Sequence, residues 1–511
     1  MIRIKGFSAS PEKVSALNGI TAKLAAKDAT LWGPAAQAEA AIRLNWIDLP
    51  LTSRELLPTL DALSAWSREI GHSDFVLCGM GGSSLAPEVI AAVYKKNLTV
   101  LDSTDPEHVK AVLDRDLSQT CFVIGSKSGS TIETASQKSA AVAQLLHQGL
   151  DPKNHLVIVT DPGSPLDQES RAACFRVISA DPNVGGRFSA LSAFGLTPAA
   201  LIGVDVSVLI DDAYEAAQTF LLPNSTVVSV AAALTEPTFV YTGFCDAGST
   251  LPGLSDWIEQ LIAESTGKDE KGVLPIVTSS PKSEIFPVIT FDEQGEIAVI
   301  GSLGEQFIFW EWVTALLGYL MKVDPFNQPN VTEAKEKTGA LLERWKGNGV
   351  HNPEPAFETS AITVFSDSKA QSLTDYLRSA VSHHNISPEN GYIALMAYLH
   401  RGVDDDVMQL RDLLEKAGKK PVTFGWGPRF LHSTGQFHKG GPKVGSFIQI
   451  TGATNVRWPI HGRDYGFEVL VMAQALGDNE ALAARNYPLV RFHLKERSAG
   501  IKELIAAAKE L

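Results

Sequence analysis

Five short apolar runs, separated by helical patterns, constrain this chain more than any other feature. They lie at 75–77, 98–101, 121–124, 156–159 and 175–178. Runs of this length, bounded by turn signals and alternating with longer helical stretches, predict strand–helix units and a parallel sheet covered on both faces. The residues before Asp74 predict helices, with loose helical spacing over 13–41 and 54–70. After Pro223 a second strand-and-helix set is expected. It comprises a strand at 238–241, a helix at 254–265, a strand at 273–277 and amphipathic helices at 305–321 and 332–345. The Gly-, Asn- and Pro-rich stretch 347–358 predicts a linker. A third α/β block follows, with strands expected at 362–365, 392–398, 422–424, 447–451 and 489–492. Its helices are expected at 373–382, 407–416, 466–476 and 498–509. A chain of 511 residues is too long for one ordinary core, so two or three domains are expected.

Composition narrows the function classes. The chain is 44% hydrophobic and 20% charged, as a globular protein is, and no apolar run reaches the length of a membrane span. Its start, Met1-Ile2-Arg3-Ile4-Lys5-Gly6, lacks the apolar stretch that follows the charges of a signal peptide. The formal charge of −14 argues against non-specific nucleic-acid binding. Cys78, Cys121, Cys174 and Cys245 show no paired Cys-x-x-Cys spacing, and three of them lie in or beside apolar runs. They read as small buried hydrophobes in a reducing compartment, not as a disulfide frame or a zinc site. A cytoplasmic protein without membrane or nucleic-acid partners is therefore expected.

Two of the apolar runs feed loops rich in Gly, Ser and Thr. The first loop is Gly79-Met80-Gly81-Gly82-Ser83-Ser84-Leu85, and the second is Ser126-Lys127-Ser128-Gly129-Ser130-Thr131-Ile132-Glu133-Thr134. Each reads as strand, tight loop, helix start. A helix start offers unpaired N–H groups and a positive dipole end to an anion. Small hydroxyls add neutral donors, and glycines let the backbone come close. One such loop serves capping as readily as binding. Two in neighbouring units, at the carboxyl ends of strands, point to one site for a phosphorylated small molecule. Ser126, Ser128, Ser130 and Thr131 would hold the phosphate, Gly82 and Ser83 would line the adjacent wall, and Lys127 would add charge or stay a solvated surface residue. Neither loop carries the nucleotide P-loop pattern, and Ser84 stands where a dinucleotide fingerprint needs its last glycine.

Three further segments carry chemistry-bearing residues. In Val184-Gly185-Gly186-Arg187-Phe188-Ser189, paired glycines set an arginine against close-packed backbone. Such an arginine stabilises a developing oxyanion or forms a structural ion pair. In Gln260-Leu261-Ile262-Ala263-Glu264-Ser265-Thr266-Gly267-Lys268, Glu264 stands near the C-terminal end of an apolar helix. The dipole favours cations there, so a carboxylate at that place suits a general base, with an exposed helix-end glutamate as the bland alternative. Phe326-Asn327-Gln328-Pro329-Asn330-Val331-Thr332-Glu333-Ala334-Lys335 reads as a turn feeding a helix, with Lys335 an ordinary surface lysine on its own terms.

Taken in order, these segments resemble the glucose-6-phosphate isomerase family, also called phosphoglucose isomerases. The matching stretches are 79–87, 126–134, 184–189, 260–268 and 326–335. Asn45-Trp46-Ile47-Asp48-Leu49-Pro50 and the block after 350 add a weaker likeness to the isomerase half of fused transaldolase–glucose-6-phosphate isomerase proteins, although this chain has no transaldolase half. The resemblance implies two sugar-isomerase (SIS) domains, each a doubly wound parallel sheet. The expected partition is 1–222 for N-terminal helices and the first SIS domain, 223–346 for the second, and 347–511 for a C-terminal α/β domain. It implies interconversion of glucose 6-phosphate and fructose 6-phosphate with neither metal nor organic cofactor. By motif, Glu264 is the base acting between C1 and C2, Arg187 stabilises the cis-enediol(ate), and the Ser126 loop holds the phosphate. Lys335 assists ring opening. A homodimer and a functional link to transaldolase are what the family suggests for partners.

One departure stands out. The family's ring-opening histidine precedes that lysine, yet no histidine lies between Glu264 and Lys335. The third block instead carries His432-Ser433-Thr434-Gly435-Gln436-Phe437-His438. His438, ahead of His432, is expected to open the ring, with a structural loop as the alternative. The rival functional readings are a non-catalytic SIS module that binds phosphosugar to regulate a partner, and an isomerase accepting both glucose and mannose 6-phosphates.

Overall fold

The computed structural model describes residues 1–222, 225–346, 349–383 and 390–511. The expected boundaries after 222 and 346, and the start of the expected linker, fall on residues outside these. The chain forms two compact units: Met1–Asp102 with Leu113–Gln328, and Ser103–Val112 with Pro329–Leu511.

The first unit holds two sheets. One runs in the order Thr99–Leu101, Asp74–Gly79, Thr120–Gly125, Leu156–Thr160, Arg176–Ser179, with every pairing parallel. Counted along the chain, its first strand lies between its second and third. This is one of the two common doubly wound orders, and its switch point lies between the first and third strands. Those strands are Asp74–Gly79 and Thr120–Gly125, registered so that Gly79 faces Gly125. The second sheet repeats the order over four strands, Leu274–Val277, Tyr241–Cys245, Val288–Thr290 and Ile297–Ile300, again all parallel. Arg3–Lys5 adds an antiparallel edge. The fold is thus the expected α/β class, with two doubly wound sheets before the C-terminal block.

The strand expected at 238–241 begins later. Pro237–Phe239 forms a 3-10 turn, and the Thr242 hydroxyl donates to the Phe239 carbonyl at 2.7 Å before the chain extends. Proline fixes φ and has no N–H, so it opens the turn instead of joining the ladder. Arg3–Lys5, Val288–Thr290 and Ile297–Ile300 are only three or four residues long, too short for a pattern to declare them. The expected N-terminal helices are fragments, Pro11–Ala16, Ile20–Ala25 and Gln37–Ala40, before the longer helix Leu57–Ile70.

Helix Leu303–Met321 is buried all round over most of its length. A helix apolar on every face belongs inside a core. Ser302 and Glu305 close its start with a capping box. Trp310 meets Phe244 edge-on at 5.3 Å, and Trp312 lies 5.6 Å from Phe220. Gly304 lets helix Val206–Thr219 come close: a Cβ there would lie 2.2 Å from the Leu209 carbonyl oxygen. This central helix ends where the segment from Asp324 to Gln328 begins, so its seat sets the height of that segment.

Among the described residues the second unit has six strands, in the order Phe357–Glu358, Ile362–Ser366, Leu489–Leu494, Gly445–Gly452, Tyr392–Tyr398, Val422–Trp426. The last four are parallel and repeat the same order once more. The segment Ser103–Val112 packs here: Asp105 accepts from Arg497 Nη2 at 2.6 Å, and His108 stacks on His400 at 4.9 Å. Among the described residues, no helix is long and apolar enough to cross a membrane.

A Gly304→Ala substitution is expected to force the two helices apart. Overpacking of this kind costs about 1–3 kcal/mol. Chemical denaturation of the variant against the parent measures it.

Candidate active site

The two Gly/Ser loops leave adjacent strand ends at the switch point of the first sheet. Ser83 ties them together, since a Cβ on Gly79 or on Gly125 would lie 3.1 or 3.3 Å from its Cβ. In the second loop the Ser126 hydroxyl is buried, accepts from the Gly129 N–H at 3.2 Å and donates to Thr131 Oγ1 at 3.4 Å. Ser128 and Ser130 are exposed, with their hydroxyls 2.8 Å apart. Thr131 is the N-cap of helix Ile132–His147, but its side chain caps no backbone N–H. The first-turn N–H groups therefore share the loop mouth with three hydroxyls, a ready arrangement for an oxyanion.

Lys127 is turned away from that mouth. Its ammonium donates to Asp161 Oδ2 at 2.7 Å and to the Pro182 carbonyl at 3.0 Å. Burial lowers the Lys127 pKa and raises that of Asp161, and their mutual attraction opposes both shifts. The lysine fastens the loop to its neighbours, and its charge is already matched.

Gly82 carries the connection onward. A Cβ there would lie 1.9 Å from the Gly186 carbonyl oxygen and 2.9 Å from the Arg187 nitrogen. Only glycine allows this approach. The first loop is thus the floor on which the Arg187 turn rests.

Arg187 is 5% exposed and reaches two segments. Nε donates to Ser265 Oγ at 2.7 Å, and Nη1 donates to Gln328 Oε1 at 3.0 Å. Nη2 donates to the Asn327 carbonyl at 3.0 Å and also to the Pro325 carbonyl. Nη1 lies 3.2 Å from Glu264 Oε1. Burial pulls the guanidinium pKa down, and Glu264 and then Asp324 push it back up. The other Glu264 oxygen, Oε2, accepts from Gln260 Nε2 at 3.1 Å. Both residues stand on helix Leu254–Thr266, one turn apart.

A second buried cation lies alongside. Lys268 donates to the Asp324 carbonyl, and burial, followed by the Arg187 charge, holds its pKa well below the ordinary lysine value. Asp324 turns its carboxylate back to accept from the Phe326 N–H at 2.8 Å. The segment from Asp324 to Gln328 is therefore pinned by two cations from different parts of the chain. Sequence reasoning left Gln260, Ser265, Lys268, Asp324 and Gln328 without roles. The four-residue spacing from Gln260 to Glu264 was a readable signal of a shared helix face; the rest are joined only by the fold.

The arrangement holds a carboxylate and a fixed cation in contact, and it presents hydroxyl donors in the neighbouring loops. It is equipped to bind an oxyanion, to move a proton and to stabilise negative charge formed beside Arg187. Among the described residues, no group of three His, Cys, Asp or Glu side chains is set to hold a metal ion.

Two expected residues belong to the second unit. Lys335 is exposed on helix Pro329–Arg344. His438 is 2% exposed, stacks on Tyr392 and shares a 3.0 Å hydrogen bond between its Nδ1 and the Tyr392 hydroxyl. Phe447 meets the imidazole edge-on at 5.4 Å. Burial, with a smaller push from Lys439, lowers the His438 pKa to about 3. His438 is thus enclosed as a neutral core residue, while His432 is half-buried.

Comparison with known proteins places these residues in context. Residues 62–269 match the family model described as phosphoglucose isomerase. Ser126, Arg187, Glu264 and Lys268 lie inside the match; Lys335 and His438 lie outside it. The chain is 33% identical over 279 residues to a glucose-6-phosphate isomerase of Thermus thermophilus, a match spanning 51% of this chain and 65% of that relative. It is 29% identical over 226 residues to a glucose-6-phosphate isomerase of Methanocaldococcus jannaschii, spanning 42% and 55%. The chain thus spans less than two thirds of the length of the curated relatives it matches. Among solved structures, a hypothetical protein from Thermus thermophilus superposes with a TM-score of 0.57 at 26% identity, covering 68% of this chain and 100% of that one.

The enclosed imidazole makes stability depend on pH. The unfolded chain protonates His438 near the ordinary value of 6.5, and the folded chain does so only near 3. Its contribution is therefore complete above 6.5 and is lost as the pH falls through that window, at about 1.4 kcal/mol per pH unit. His438→Gln is expected to reduce the slope of stability against pH between pH 7 and pH 4 by about 1.4 kcal/mol per pH unit, and His72, His108 and His493, which burial lowers to about 4, keep the rest.

Proposed function

We propose that this protein is an aldose–ketose isomerase that interconverts glucose 6-phosphate and fructose 6-phosphate. The contact of Glu264 with Arg187 is the observation that carries the proposal. A site that only bound phosphosugar would need the hydroxyl loop but no carboxylate held against a buried guanidinium. In the proposed reaction the phosphate sits on Ser126, Ser128, Ser130 and Thr131, with Gly82 and Ser83 lining the sugar side. Glu264 removes the proton from one of C1 and C2 of the open-chain sugar and returns it to the other. The cis-enediolate formed between these events is stabilised by Arg187, whose orientation is fixed before substrate arrives. No step calls for a metal or an organic cofactor.

Lys335, exposed and long, is proposed to assist ring opening. His438 is assigned to packing instead, because its imidazole is enclosed by aromatic rings and held neutral. The proposal extends to a cytoplasmic homodimer. Three of the four cysteines are buried, which suits a reducing compartment. The resemblance to the isomerase half of fused proteins adds a functional link to a separate transaldolase.

The test is conversion of fructose 6-phosphate to glucose 6-phosphate, followed with glucose-6-phosphate dehydrogenase. Wild type is expected to turn over. Glu264→Gln is expected to lose about 10²–10⁴-fold in kcat while still binding fructose 6-phosphate. Binding by wild type without turnover would replace the isomerase with a regulatory phosphosugar module.

A further inference from the structure

The second unit contains a cavity of about 1030 Å³ that the proposed reaction does not use. It lies at the amino ends of Gly445–Gly452 and Leu489–Leu494, opposite the end where a doubly wound sheet binds its ligand. Arg491 lines it from inside the sheet and is 1% exposed. The guanidinium lies 3.9 Å over the Phe365 ring, and Nη2 donates to Asn352 Oδ1 at 2.8 Å. Nη1 has no hydrogen-bond partner, and among the described residues no carboxylate lies within ion-pair distance. Burial alone accounts for a pKa lowered to about 10.

Two other buried cations of this unit are treated differently. Arg497 has Asp105 at 2.6 Å and Asp404 at 3.2 Å. Lys439 has Asp478 at 2.5 Å. A buried charge without a counter-ion is strongly unfavourable, and folds normally match it. Two more donors line the same cavity unpaired: the hydroxyls of Ser446 and Tyr376, each on a residue 1% exposed. Of the acids lining the cavity, Glu354 and Asp367 are exposed, and the half-buried Glu480 lies 3.6 Å from Arg344 Nη1. An excess of unmatched donors around an unmatched cation specifies an anion with several acceptor oxygens.

We propose that this cavity binds a small organic oxyanion, a carboxylate or phosphate ester, anchored by Arg491 with Ser446 and Tyr376 as further donors. The cavity is far larger than the head group, and Phe365 and Trp345 give it apolar wall for a carbon skeleton. The site is separate from the Ser126 loop and does not depend on the isomerase reading.

The experiment uses the full chain carrying Ser128→Ala and Ser130→Ala, which weakens the first unit's own anion loop. Inorganic phosphate and succinate are titrated by calorimetry, and the thermal midpoint is followed in parallel. One or both probes are expected to bind and to raise the midpoint. The tighter probe identifies the head group. Arg491→Met is expected to weaken that binding about tenfold or more. It should also leave the anion-free midpoint equal to or above the parent's, because an uncompensated buried charge has been removed. Absence of binding by both probes overturns the proposal, as does binding that Arg491→Met leaves unchanged. An anion-free midpoint that Arg491→Met lowers and Arg491→Lys restores assigns the guanidinium to structure and also overturns it. If Arg491→Met does not fold, Ser446→Ala decides: weaker binding at an unchanged midpoint supports the site, and unchanged binding refutes it.

Discussion

The buried guanidinium of Arg187 is the interaction on which the candidate active site depends. A cation taken out of water needs every donor met, and Arg187 meets its needs from the helix bearing Ser265 and from the segment after Asp324. Those segments lie far apart in the chain. They meet because Gly82 brings the first loop under the Arg187 turn, and because the central helix Leu303–Met321 delivers the Asp324 segment at the right height. Arginine suits this place better than lysine would. Its planar fork serves several acceptors at fixed angles, whereas an ammonium is a point charge.

The same four-strand order occurs in all three sheets, yet the crevice at its switch point is used in two ways. In the first sheet the crevice is lined by the loops after Gly79 and Gly125 and opens onto exposed Ser128 and Ser130. In the sheet of the second unit the corresponding strand ends are Tyr392–Tyr398 and Gly445–Gly452. There His400 stacks with His108, and Arg497, beside Gly452, is matched by Asp105 and Asp404. The segment Ser103–Val112 fills the place where a ligand would sit. One topology thus gives an open crevice where short hydroxyl side chains line it, and a closed one where a peptide segment supplies the carboxylate.

Much of this was legible in the sequence, and the reasons for the rest are physical. The strand at 392–398 was readable to the residue, and the strands of the first sheet to within one or two, because buried parallel strands are continuous apolar runs between turn signals. Arg3–Lys5 was invisible because an edge strand of three residues has no periodicity to show. The loop of Ser126 and the pair Arg187 and Glu264 were readable as residue types suited to their chemistry. Their mutual contact was not, since 77 positions of chain, from 187 to 264, separate them. Lys127 and His438 show the opposite limit. A lysine in a phosphate-loop sequence and a histidine among glycines both suggest chemistry, but an aspartate 34 residues away takes the first. The second is enclosed by Tyr392 and Phe447, which no local pattern reveals.

The way Arg187 is held also bears on how Glu264 can work. In the proposed reaction Glu264 is the base, and a base in a proton-transfer cycle is neutral for part of each turnover. If its charge were what kept the arginine in place, protonation would loosen the site at the moment the enediolate needs it. Here Glu264 meets the guanidinium through one oxygen and one nitrogen, at 3.2 Å. The neutral acceptors Ser265, Gln328 and the carbonyls of Pro325 and Asn327 account for the guanidinium's other hydrogen bonds. Gln260 holds the second carboxylate oxygen by a neutral donor, which tolerates either protonation state at the oxygen that faces Arg187. Position is thereby supplied by uncharged groups and charge is left free to change. That separation lets a carboxylate and a buried cation stay in contact through a cycle in which only one of them keeps its charge.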